Sequence, residues 1–100
     1  MQFLVLLGIS SESIQREVLN AELVRREIQA VKELAKSGSV RQAWKRQDCH
    51  CIALLVDAPS EEECSALLAE LPFGKAGILD IQLLAPVEPY NEVYSNSSPD

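Results

Sequence analysis

The sequence predicts an α+β fold of the ferredoxin-like type, ordered βαββαβ, with a four-stranded antiparallel sheet and two helices on one of its faces. Three observations carry that prediction. QFLVLLGI and HCIALLVDA are apolar runs of strand length, and each is followed by a segment with helical spacing of apolar residues. SVRQAWK alternates and meets HCIALLVDA across the short polar turn RQDC, which makes a hairpin of the two middle strands. A last apolar run, GILDIQLLAP, supplies the fourth strand.

One hundred residues suffice for one domain with one core, placed at 1–87, and the remaining 88–100 read as a polar tail. The first run is too short for a buried helix and suits a strand covered on both faces. Hydroxyl-rich Ser10, Ser11 and Ser13 then offer helix caps. Apolar Ile14, Val18, Ala21, Ile28, Val31 and Ala35 recur at three- and four-residue intervals, so the first helix starts between Glu12 and Asn20. Gly38 ends it. Strand two sets Val40, Gln42 and Trp44 against Arg41, Ala43 and Lys45. Ser60 and Glu63 form a capping box that opens the second helix, and Glu61, Glu62 and Glu63 sit at its positive end. Cys64, Leu67, Leu68 and Leu71 make its buried stripe, and Pro72 is expected to close it. The tail's last part, Ser95 to Asp100, has a disordered composition.

Two helices cover only one face of such a sheet, yet strands one and three are apolar on both. That excess predicts a second copy of the chain against the open face, most simply in a two-fold dimer. Tyr90 and Tyr94, in the tail, suit a position over the partner.

The composition, 47% hydrophobic and 24% charged, is that of a soluble globular protein. A net charge of −6 disfavours nucleic acid and anionic membranes as partners. Phe3 to Leu7 is far short of a membrane span and lacks the cationic start of an export signal, so a cytoplasmic protein with reduced thiols is expected.

The most chemical-looking stretch is Asp48-Cys49-His50-Cys51. Alternation along a strand places Cys49 and Cys51 on one side and His50 on the other, with Ile52, Leu54 and Val56. The three side chains therefore do not converge on one ion, Cys64 belongs to an apolar helix stripe, and no metal site is predicted. Neither do they make a nucleophile and base pair. His50 remains as a single acid or base at the entrance of strand three. Asp80 shares a strand-four face with Gln82, and there a buried carboxylate would have a raised pKa and could act as a base. Arg41 and Lys45 share a side of strand two and could hold a substrate carboxylate, or pair with Asp48, Asp57 or helix glutamates. Trp44, on the opposite parity, is suited to the core, an interface or a ligand wall.

The stretches ELAKSGSVRQAWKR, LLVDAPSEEECSALLAELPF and LDIQLLAP resemble the muconolactone isomerase family of the dimeric α+β barrel superfamily. The likeness rests on a helix ending in Gly38, Trp44 followed by a basic residue, the Asp57-x-x-Ser60 helix entry, and Leu67-Leu68 before Leu71-Pro72. It implies a small homo-oligomer that moves a double bond in a lactone acid of aromatic degradation, using no metal or cofactor. Such a proton shift needs a base, an acid and a cation for the substrate carboxylate. Arg41 and Trp44 match the family, Lys45 replaces an arginine and keeps the charge without its fork, and Gln42, Ser65 and Gln82 stand where the family carries titratable groups. LPFGKAGILDIQLLAP also resembles the closing strand of YciI-like proteins, and small monooxygenases are relatives at the level of fold. Two functions follow: an isomerase-type enzyme acting through His50 or Asp80, Arg41, Trp44, Lys45 and Gln82, or a non-catalytic oligomeric module. An enclosed polar cavity would favour the first.

Overall fold

The computed structural model describes residues 1–10 and 19–90. Its strands are β1 (Gln2–Ile9), β2 (Val40–Lys45), β3 (Ile52–Asp57) and β4 (Leu79–Val87), and its helices α1 (Ala21–Ser37), α2 (Glu61–Ala69) and α3 (Pro72–Lys75). The sheet order is β2-β3-β1-β4, with every neighbouring pair antiparallel. This is the ferredoxin-like α+β arrangement that the sequence predicts.

Phe3, Val5 and Leu7 of β1 and Leu54 and Val56 of β3 are buried, and their alternation defines the face that the helices cover. Cys64, Leu68 and Leu71 complete the core from the helical layer, with Ala30, Val31 and Leu34 of α1 packed against it.

Asn20 starts α1 by accepting the Leu23 N–H at 2.9 Å, at the late end of the range expected for the helix start. Gly38 ends it in the left-handed region at φ 88°, as expected. The inward stripe differs from the predicted one. Ala21, Ile28 and Ala35 are exposed, whereas Leu23, Val24, Glu27, Ala30, Val31 and Leu34 face the sheet. The apolar positions alone allow either stripe, and packing selects the one that puts leucines inward. Ile14 and Val18 lie outside the described residues, as do Ser11 and Ser13.

Ser60 caps α2 through the Glu63 N–H at 3.2 Å. Pro72 does not simply close this helix. After Leu71 takes an extended conformation, Pro72 opens α3, where its fixed φ suits a first helical turn and its missing N–H costs nothing. Gly74 lets the two helices meet: a Cβ there would lie 2.5 Å from the Leu68 carbonyl oxygen and 2.8 Å from that of Ala69.

Two register shifts break the simple strand parity. Val40 pairs with Val56 but Gln42 with Leu55, so Arg41 is an extra residue and Val40 parts company with Gln42 and Trp44. Leu6 pairs with Leu83 and Leu7 with Ile81, which makes Gln82 the extra residue of β4. Leu83 consequently joins Leu6 on the face away from the helices, and Leu84 joins Val5 on the core side. Leu4, Leu6 and Leu55 lie half-buried on that open face, and Leu83 is 40% exposed there. Tyr90 is exposed, and residues 91–100, Tyr94 among them, lie outside the described residues.

Candidate active site

Between α1 and the β2–β3 half of the sheet lies a cavity of about 520 Å³. Val24, Ile28 and Val31 form its helical wall; Ile9, Ala43, Ile52 and Leu54 form its sheet wall; Phe73 of α3 lies at the helical end. The polar groups on this apolar lining are few: Glu27, Lys32, Lys45 and His50. A small pouch of about 50 Å³ is bordered by Leu7, Gly8 and Leu79 and shares Ile9, Glu27, His50, Ile52 and Phe73 with the cavity. Size, apolar walls and a few polar groups are the features of a small-molecule site.

Glu27 is the only buried charged residue among those described, 5% exposed. Its Oε1 accepts the Phe73 backbone N–H at 3.0 Å, and its Oε2 has no hydrogen-bond partner. Burial pushes the carboxyl above its ordinary value, and the Phe73 N–H, which favours the anion, offsets part of that rise. The carboxyl is therefore a stronger base than a solvated one, in an apolar setting where a half-satisfied acid is costly to keep. Stability alone gives no reason for such a group.

Sequence reading missed Glu27. The signal was present, since Glu27 stands three residues after Val24 and four before Val31, a carboxylate on the apolar stripe of an amphipathic helix.

Of the residues singled out from sequence, Trp44, Lys45 and His50 line the cavity; Arg41, Asp80 and Gln82 do not. Lys45 pairs with Ile52 in register, which turns it to the helical side of β2, while the extra residue at Arg41 breaks the alternation that was to place the two cations together. Asp80 pairs with Gly8 at the far strand, and Gln82 lies over Gly8 with its Nε2 3.8 Å from Cys51 Sγ. His50 comes just before β3, in the bent segment 47–50, and borders both cavity and pouch.

That bend is built by Arg46. Its guanidinium grips Asp48 through Nε at 3.0 Å and Nη2 at 2.6 Å, and its N–H donates to the Cys51 carbonyl at 3.0 Å. The same pair lowers the Asp48 pKa and raises that of Arg46. Arg46 is thus occupied, whereas Lys32 and Lys45 form no ion pair among the described residues.

The thiols depart from expectation. Cys49 and Cys51 are joined by a disulfide, with Cα atoms 5.3 Å apart, and Cys64 alone is free and buried. The alternation expected there does not apply: strand three begins only at Ile52, and the bend before it brings the two sulfurs together. Burial, and secondarily Glu61, raise the Cys64 pKa, which keeps it a packed thiol. No three His, Cys, Asp or Glu side chains gather as a metal cluster among the described residues.

Comparison with the curated proteins finds no match. Among solved structures, the chain is similar to the 5-chloro-2-hydroxyhydroquinone dehydrochlorinase of Burkholderia phenoliruptrix AC1100, in complex with 2,5-dihydroxybenzoquinone. The TM-score is 0.70 at 16% identity, covering 92% of this chain and 98% of that one, which establishes a common fold. The sequence itself matches the muconolactone delta-isomerase family over residues 1–91. With a match that spans strands, helices and cavity alike, the chain belongs to the muconolactone delta-isomerase family.

Proposed function

We propose that this protein catalyses a proton shift in a small unsaturated lactone or carboxylate, with Glu27 taking and returning the proton. Family membership supports a small-molecule enzyme of the isomerase kind. The observation that carries the specific reading is Glu27 itself, buried in the cavity lining with one oxygen tied to Phe73 and the other unpartnered. In the reaction, Glu27 removes a proton from the far carbon of the conjugated lactone, and the C–H pair becomes a π bond of a dienolate whose charge rests on the carbonyl oxygen. Return of the proton to the carbon next to the carbonyl moves the double bond. The hydrogen bond from Phe73 leaves the carboxyl oriented during both transfers.

Lys45 and Lys32 attract the substrate carboxylate and lower the energy of the enolate charge. His50, at the junction of cavity and pouch, is a second group able to exchange a proton with solvent or substrate. Arg41 and Asp80 take no part in this scheme. The open apolar sheet face supports a homo-oligomer, with a second copy covering Leu4, Leu6, Leu55 and Leu83.

The test is turnover of muconolactone in D2O, followed by proton NMR, with wild-type protein and Glu27→Gln. The expected result is isomerisation by the wild type and a loss of roughly 10²–10⁴-fold in the variant, the usual contribution of a general base. Equal rates in the two proteins, or no turnover by either, would sink this reading and leave the non-catalytic module.

A further inference from the structure

We infer that this cavity holds most tightly an apolar anion of two or three fused rings' bulk, its acid group at Lys32 and Lys45 and its body along Val24, Ile28 and Val31. The inference deepens the proposed function, because it rests on the same cavity being the active site. Three observations favour it. About 520 Å³ lies within the range of ~300–1,000 Å³ that drug-sized ligands occupy. A one-ring lactone fills only part of that volume, and displacing loosely held water from the remaining apolar wall gives a larger apolar body added affinity.

The second observation is that the helical wall continues outward onto a large side chain left in water: Ile28 is 50% exposed and belongs to the cavity lining. For Ile28, on a helix whose other leucines and valines face inward, no contact with the core explains the choice of residue. The third is charge. In a chain of net charge −6, Lys32 and Lys45 border the same apolar cavity without an acidic partner among the described residues. An ammonium is a strongly hydrated point charge, so it suits a carboxylate at the mouth better than a buried neutral group.

The experiment titrates the whole chain with benzoate, 2-naphthoate, anthracene-2-carboxylate and the neutral naphthalene-2-carboxamide, by calorimetry. Dissociation constants should fall roughly tenfold with each added ring, the affinity expected of the extra apolar area buried. The amide should bind several-fold more weakly than 2-naphthoate, and Lys32→Gln with Lys45→Gln should abolish that difference while keeping the preference for size. Ala43→Leu, which fills part of the sheet wall, should weaken anthracene-2-carboxylate and leave benzoate unchanged. Affinities that are flat or fall along the series, or an amide that binds like the acid, overturn the inference. Glu27→Gln separates it from the proposed function. A steep ring series that persists while isomerisation is insensitive to Glu27 overturns the catalytic reading alone, whereas a flat series beside Glu27-dependent isomerisation overturns this one alone.

Discussion

The Glu27 carboxylate accepts the backbone N–H of Phe73 at 3.0 Å, across 46 residues of sequence, and this bond ties the long helix α1 to the short helix α3 beside the cavity. Phe73 can present its N–H there because α3 lies close to the end of α2, and that approach depends on Gly74, with no room for a Cβ beside the carbonyls of Leu68 and Ala69. Backbone oxygens cannot swing aside as a side chain can. Gly74→Ala is therefore expected to destabilise the protein by roughly 1–3 kcal/mol, as overpacking does, and to lower isomerase activity by displacing Phe73. Gly8→Ala is the control, since its added methyl crowds only the flexible end of Gln82 and otherwise lies in ordinary contact with Cys51 Sγ at 3.7 Å. Denaturant unfolding of the two variants checks the contrast; equal losses would refute it.

The raised pKa of Glu27 sets a pH dependence of stability. The folded state holds this proton above the ordinary value of 4.5, where the unfolded chain releases it, so the wild type loses stability as pH rises from 4.5 through the folded pKa. Below 4.5 the carboxyl is protonated in both states and the penalty vanishes. Glu27→Gln should accordingly be more stable than the wild type at neutral pH, with the gap closing towards pH 4. Thermal unfolding of both proteins from pH 4 to 8 measures it, and a gap that widens in acid would contradict the assignment.

Activity should follow the same group with the opposite benefit. A base must be deprotonated, so kcat/KM is expected to fall on the acid side with a midpoint above the ordinary carboxylate range. A limb at or below 4.5 would mean that a solvated carboxylate, and not Glu27, is the base.

The Cys49–Cys51 disulfide and the burial of Cys64 predict a pattern of alkylation. Native protein treated with iodoacetamide should take up no label, two labels per chain after mild reduction, and a third only on unfolding. Mass spectrometry reads each stage. Labelling of Cys49 and Cys51 without reductant would return them to the reduced state that the sequence suggested.

The open sheet face leads to a prediction about assembly. Light scattering at micromolar concentration should give a dimer or larger, and Leu83→Asp, placing a charge on that face, should weaken association by tenfold or more, about 1.4 kcal/mol. A monomeric wild type would refute the argument from two apolar faces.

While it left the start of α1 open between Glu12 and Asn20, the sequence by itself determined the order of the elements, the hairpin between β2 and β3, the caps at Gly38 and Ser60 and the excess of apolar strand surface. Each of these follows from neighbours a few residues apart: a hydroxyl or amide near free N–H groups, a glycine where the chain turns left-handed, alternation along an extended chain. Trp44, Lys45 and His50 were also legible as candidates, because β2 and the entrance of β3 are adjacent in the chain and meet across one turn. The tertiary structure decided the rest. Which way α1 turns depends on the whole sheet, and that rotation buries Glu27 where the heptad-like spacing allowed Ile28 to go inside. One extra residue at Arg41 and another at Gln82 reversed the facing of everything beyond them, which no count along a single strand reveals, since a bulge is a mismatch between two strands. The disulfide likewise exists because the chain bends before Ile52 instead of entering β3 straight. The base of the proposed reaction is thus an ordinary glutamate in the sequence, made exceptional by Phe73, a residue 46 positions away.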